Sequence, residues 1–288
     1  MNKNANLKKL LNGEKIIKIS GAHDGLSAKI SERNGFDAVW ASGFGISATQ
    51  TVPDASILSM KEFLDAADIM NQSTNIPIIA DCDSGYGNIH NVIHMIKKYE
   101  STGISGVCIE DKVFPKINSF SKNKQQLVSI DEFCNKIKAA KDAQVDPNFV
   151  VIARVESLIA GETMENALIR AKHYADAGAD AILIHSKKST PNEIFEFCNM
   201  WDDRKPLVVV PTKYPDVDLQ TLEKYGIKAA IFANQALRAS VKITDYVLSK
   251  ISQQGTSINV EEEISSVQEI FELQNMSQFK ENNETYSN

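Results

Sequence analysis

Eight short runs of apolar and β-branched residues, at 16–19, 38–41, 78–80, 106–109, 150–153, 181–184, 207–210 and 229–232, recur along the chain with helix-like segments between most of them. Runs that are apolar at consecutive positions belong to strands buried on both faces, since polar alternation is needed only where one face meets water. The intervening segments 60–70, 92–101 and 164–177 carry the i, i+3, i+4 apolar spacing of helices with one buried face. Gly35, Gly103, Gly178 and Gly226 fall just past the predicted helix ends, where a left-handed cap favours glycine. Strand and helix alternating in this way predict an α/β fold with a parallel sheet, and eight such units close as a (β/α)8 TIM-type barrel.

A chain of 288 residues accommodates one such barrel, which takes about 250 residues. The predicted organisation is a catalytic barrel over 1–255, a helical extension over 256–275 and a polar tail over 276–288. Segment 260–273 starts with Glu261-Glu262-Glu263 and places Ile264, Val267, Ile270, Phe271 and Leu273 on one helical stripe. That stripe must be buried on its own barrel or on a neighbouring subunit. Net charge is −6 with no long basic block, so nucleic acid is not an expected partner. No run approaches the roughly 20 apolar residues of a membrane span, and Met1-Asn2-Lys3-Asn4 leads into no secretory apolar segment, so a cytoplasmic location is expected. Cys82, Cys108, Cys134 and Cys198 form no Cys-x-x-Cys pair and read as reduced thiols, outside any zinc or disulfide framework.

In this fold the chemistry gathers at the carboxyl ends of the strands. Those ends read Ser20-Gly21-Ala22-His23, Ser42-Gly43, Asp81-Cys82-Asp83, Glu110-Asp111-Lys112, Arg154-Val155-Glu156, His185-Ser186-Lys187-Lys188, Pro211-Thr212-Lys213 and Asn234. Carboxylates after the third and fourth strands, with an arginine and a histidine after the fifth and sixth, predict one convergent pocket. Asp81 and Asp83 are two residues apart, so an extended backbone aims both at one ion, while Gly85 and Gly87 let the chain turn closely around it. Oxygen ligands of this kind suit Mg²⁺, which keeps several waters and takes one or two carboxylates directly.

Ala22-His23-Asp24-Gly25-Leu26-Ser27-Ala28, Trp40-Ala41-Ser42-Gly43, the 81–88 segment, Glu110-Asp111-Lys112-Val113-Phe114-Pro115-Lys116, Val151-Ile152-Ala153-Arg154-Val155-Glu156 and His185-Ser186-Lys187-Lys188 together resemble the phosphoenolpyruvate mutase family of the isocitrate lyase superfamily. The resemblance runs from about residue 7 to residue 273. Superfamily lyases carry a Lys-Lys/Arg-Cys-Gly-His loop, whereas no cysteine of this chain lies between Glu110 and Phe133. The related phosphonopyruvate hydrolases typically have threonine at the gating-loop position occupied here by Asn118. The stretch 120–126 lacks the His-Asp-Gly-Arg-like turn of the mutase pattern.

The resemblance implies a phosphoryl group moving from the enol oxygen of phosphoenolpyruvate to its methylene carbon, giving 3-phosphonopyruvate; hydrolysis to pyruvate and phosphate is the alternative. It implies Asp81 as the direct Mg²⁺ ligand, with Asp83, Glu110 and Asp54 holding the ion's waters. Arg154 and His185 bind the phosphoryl group, and the backbone amides of Ser42, Gly43 and Phe44 form an anion nest beside an apolar wall at Trp40. Lys116 and Asn118 sit on a lid over 114–126 that excludes water from a metaphosphate-like species. A homotetramer with exchanged C-terminal helices, and functional coupling to a phosphonopyruvate decarboxylase, are implied in the same way.

Overall fold

The computed structural model describes residues 2–121 and 124–287. Eight strands, β1 (Ile17–Ala22), β2 (Ala38–Ala41), β3 (Ile78–Asp81), β4 (Gly106–Glu110), β5 (Val150–Val155), β6 (Ala181–Ile184), β7 (Leu207–Val209) and β8 (Ile227–Phe232), pair in chain order as a closed barrel. Every pairing is parallel, and Ile17 of β1 beside Ala229 of β8 closes the ring. The predicted fold class is the observed one. The four capping glycines all have positive φ, between 73° and 109°.

Strand alternation sorts the apolar residues into two cores. Val39, Ile78, Val107, Val151 and Ile182 face outward onto helix residues such as Phe63, Met70, Met95, Tyr99, Phe133 and Tyr174. Trp40, Ile79, Cys108, Ile152 and Leu183 face inward and fill the lumen. The amino-terminal helix Lys3–Leu11 was not foreseen in the sequence; it sends Leu7 and Leu11 into that inner core. It stands at the amino ends of the strands, where a Cβ on Gly106 would come within 3.3 Å of Leu7.

The period of two also decides what reaches the other mouth. Two residues beyond Ile79, Cys108, Ile152 and Leu183, on the same lumenal face, stand Asp81, Glu110, Arg154 and His185.

The chain divides into compact units over 1–234 and 235–288. The helix Gln235–Gln254 therefore groups with the carboxyl-terminal residues rather than with the strands, although it stops at Gly255, where the predicted barrel segment ends. The single helix expected over 260–273 is instead a 3-10 turn at Glu261–Glu263 followed by a helix Val267–Leu273. The Ser266 side chain accepts the Glu269 amide at 3.1 Å and fixes that start. Residues expected as a polar tail form a further helix, Met276–Tyr286.

Candidate active site

β3 ends at Asp81, and Asp83 lies beyond it with φ of 50°, so the two carboxylates are not brought together by strand alternation. A turn does it instead. Gly85 and Gly87 have φ of 87° and 140°, and a Cβ would stand 2.6 Å from Val92 Cγ2 or 2.5 Å from Asn91 Oδ1, so glycine is required at both. The Glu110 amide donates to the Asp83 carbonyl at 2.8 Å, and the buried Lys136 ammonium donates to Ser84 O at 3.1 Å, which holds the turn against β4 and the helix Ile130–Ala143.

Asp83 and Glu110 are both buried, and Asp83 Oδ1 and Glu110 Oε1 have no hydrogen-bond donor. Lys116 Nζ lies 3.0 Å from Asp83 Oδ1, an ionic contact without hydrogen-bond alignment. Burial, outweighing Lys116 and Arg154 and reinforced by Asp83 and Glu110, pushes the Asp81 carboxyl up to about 7. Arg154 at 3.3 Å and Lys112 at 3.6 Å from Glu110 offset part of this charge, and an all-oxygen cluster that still keeps two buried oxygens without a donor fits a hard divalent cation. Among the described residues no group of three or more His, Cys, Asp or Glu side chains is close enough to ligate one ion together. The cluster therefore suits an ion held by one or two carboxylates and otherwise through water.

Gly43 packs on this centre, and a Cβ there would stand 3.1 Å from Asp81 Oδ2. Gly43→Ala is expected to displace the Asp81 carboxylate and lower metal affinity about 10- to 100-fold, as supporting contacts to ligands do; a Mg²⁺ titration of turnover measures it. The expected nest of three amides is smaller than predicted. The Ser42 amide is taken by Ala22 O at 3.0 Å, and its hydroxyl accepts the Gly45 amide, leaving Gly43 and Phe44 as the first-turn donors. Trp40 is buried in the lumen, and the Phe44 side chain is exposed.

The lid is docked over the carboxylates. Its base is zipped to the barrel by Val113 N donating to Gln126 O and Val128 N to Asp111 O, each at 2.9 Å. Lys122 and Asn123, within the expected lid, lie outside the described residues. Lys116 Nζ reaches Asp54 Oδ1 at 2.5 Å, Asn118 Nδ2 donates to Asp54 Oδ2 at 2.7 Å, and the Asn118 amide donates to Asp54 O at 3.1 Å. Burial alone would raise the Asp54 pKa, but Lys116 and Asn118 outweigh it and hold the carboxyl below its usual range. Burial alone would lower Lys116, and Asp83, Asp54 and Glu110 reverse this and keep the ammonium charged. Asp54, expected at the metal's waters, is thus the lid's docking post here.

Arg154 and His185 meet where β5 and β6 end, with Arg154 Nη2 2.8 Å from His185 Nδ1. Burial and the neighbouring Arg154 lower the His185 pKa, which favours the neutral imidazole, and its Nε2 is buried without a partner.

Four groups at this site received no role in the sequence: Glu156, Lys112, Ser119 and Asp111. Glu156 is fully buried; one of its oxygens receives Arg154 Nε at 2.6 Å and the other lies 2.9 Å from Lys112 Nζ in an ion pair. The available signal was its place two residues beyond Arg154. Burial opposes ionisation of Glu156, but Arg154, His185 and Lys112 prevail and hold its pKa well below normal. A depressed carboxyl contributes stability that is present above its unfolded value, near 4.3, and is lost as pH falls through the folded one. The stability gap between wild type and Glu156→Gln is therefore expected to narrow on acidification below about pH 4.3, as followed by urea denaturation.

The model of the family described as phosphoenolpyruvate phosphomutase matches residues 7–252. The phosphoenolpyruvate phosphomutase of Tetrahymena pyriformis is 42% identical over 285 residues, covering 99% of this chain and 95% of its own length. A crystal structure of phosphoenolpyruvate phosphomutase from Streptomyces platensis subsp. rosaceus superposes with a TM-score of 0.98 at 44% identity, covering 99% of both chains. A phosphonopyruvate hydrolase crystallised with oxalate and Mg²⁺ superposes with a TM-score of 0.95 at 41% identity over 100% of both chains. The mutase structure superposes the better of the two, with a TM-score of 0.98 against 0.95. With the matched family model and relatives spanning its length, this chain belongs to the phosphoenolpyruvate phosphomutase family.

Proposed function

We propose that the protein interconverts phosphoenolpyruvate and 3-phosphonopyruvate by intramolecular phosphoryl transfer. The observation that carries the reading is the docked lid, in which Lys116 and Asn118 both hold Asp54 over the buried carboxylates. Phosphoryl transfer through a loose state needs positioning, charge stabilisation and the absence of water, rather than a covalent partner. Asp81, with Asp83 and Glu110 through water, would hold Mg²⁺, and the ion when bound supplies positive charge to the pyruvyl oxygens. Arg154 and His185 offer N–H donors to the migrating group, and the Gly43 and Phe44 amides offer donors on the opposite wall. The Asn118 amide steadies the phosphoryl group without acting as a base.

A threonine at 118 would leave room to admit or orient water, which is the chemistry of the hydrolase alternative. In ³¹P NMR, purified protein with Mg²⁺ and phosphonopyruvate is expected to give phosphoenolpyruvate; inorganic phosphate as the sole product would overturn the reading in favour of the hydrolase. Asn118→Thr is expected to raise the phosphate share of the product in the same spectrum.

The reading extends to a homotetramer exchanging C-terminal helices, supported by the exposed Ile264, Val267 and Phe271. It extends also to a cytoplasmic role in phosphonate biosynthesis beside a phosphonopyruvate decarboxylase. No helix among the described residues is long and apolar enough to cross a membrane.

A further inference from the structure

We propose that Glu156 is a positioning residue that ties closure of the lid to the setting of Arg154 and His185. Its carboxylate is shared between one partner on the lid, Ser119, and three off it, Arg154, His185 and Lys112. Oε1 receives Arg154 Nε at 2.6 Å and lies 2.8 Å from His185 Nδ1. Oε2 receives the Ser119 hydroxyl at 2.6 Å and lies 2.9 Å from the Lys112 ammonium in an ion pair. Its backbone amide is pinned by Asp111 Oδ1 at 2.9 Å, and Asp111 is itself held by Tyr174 OH at 2.8 Å, so the carboxylate has a fixed base.

Ser119 comes from the lid, and every bond it can make is spent on this centre. Besides donating to Glu156, its oxygen accepts Lys112 Nζ at 2.6 Å and Arg154 Nη2 at 3.0 Å. Lys112 reaches the lid a second time, donating to Ile117 O at 3.0 Å. A lid that leaves takes one donor from Glu156, one acceptor from Arg154 and two from Lys112, so the open state carries groups that burial penalises. With Nε and Nη2 engaged, Arg154 keeps its other terminal nitrogen for an anion, alongside the unpartnered His185 Nε2. The same carboxylate therefore sets the aim of the anion-binding pair and the affinity of the barrel for its lid. Such coupling is reciprocal: an anion on Arg154 favours closure, and closure favours the anion.

The inference rests on the mutase reading for the identity of that anion, while its physical core can be tested on ligand-free protein. Two lid amides, Lys116 to Ser56 Oγ and Asn118 to Asp54 O, each at 3.1 Å, are protected only while the lid is docked. Hydrogen–deuterium exchange of peptides covering 113–121 reads them against peptides from the barrel strands. Ser119→Ala is expected to speed lid exchange about tenfold or more, the value of a hydrogen bond to charged groups, with strand exchange unchanged. Glu156→Gln, which also lowers global stability, is expected to speed lid exchange by more than strand exchange and, with Mg²⁺ and phosphonopyruvate, to lower kcat by more than it raises KM. Equal acceleration in lid and strands, or none in the lid of Ser119→Ala, would overturn the proposal, and Ser119→Ala decides if Glu156→Gln does not fold. Lid loosening in a protein that forms neither phosphoenolpyruvate nor phosphate would leave the coupling standing and remove the mutase reading.

Discussion

Asp81→Asn is expected to remove turnover while leaving the fold at least as stable as before. A metal that stabilises charge in a transition state is worth several kcal/mol, and at about 1.4 kcal/mol per tenfold the loss reaches about a thousandfold or more. The stability side follows from the surroundings of the carboxyl. Its pKa is pushed up to about 7, chiefly by burial, against the opposing pull of Lys116 and Arg154. The ionised group is therefore worse placed in the folded protein than in water, and an amide of the same shape relieves that cost. Thermal unfolding at pH 8 with EDTA, beside the ³¹P assay with Mg²⁺, checks both halves. Wild-type turnover, or a large fall in Tm, would contradict the assignment.

Lys116→Met is expected to open the lid without unfolding the barrel. The ammonium stands 2.5 Å from Asp54 and 3.0 Å from Asp83, so its loss leaves two buried carboxylates without that cation. Breaking a buried ion pair from one side costs about 3–5 kcal/mol. Because Lys116 is carried by the lid, undocking lets water reach Asp54 and Asp83 and relieves that cost. The barrel core, filled independently by residues such as Ile79, Ile152 and Leu183, is not disturbed. The expected signature is a small change in Tm, rapid exchange of peptides covering 113–121, and activity reduced about a thousandfold. A barrel that unfolds together with the lid would show that lid and core are one cooperative unit.

The barrel was legible because its strands are buried on both sides. Continuous runs such as Ile78-Ile79-Ala80 and Val151-Ile152-Ala153 have few other places to go, and positive-φ glycines punctuate the helices between them. The amino-terminal helix was not, because Lys3–Leu11 is short and shows its apolar residues only as a plug for a lumen that the rest of the chain must first build. The segment 260–273 misled in the opposite direction. Its apolar spacing runs on through 264–273, yet a serine cap at Ser266 starts the helix later than periodicity alone implies.

At the site, the residue types were readable and their pairings were not. Asp81, Glu110, Arg154 and His185 announce themselves as polar residues just past lumenal apolar ones, a relation carried entirely by the two-residue period of a strand. The chain alone thus determined the ring of strands and which side chains line its mouth, since both follow from local alternation and burial. Only the tertiary structure decided that Asp54 clasps the lid, that Ser42 spends its amide on Ala22, and that Glu156 joins Arg154 to Ser119. Apart from Glu156 with Arg154, two positions away, those are contacts between segments 20 to 64 positions apart, where no sequence period operates.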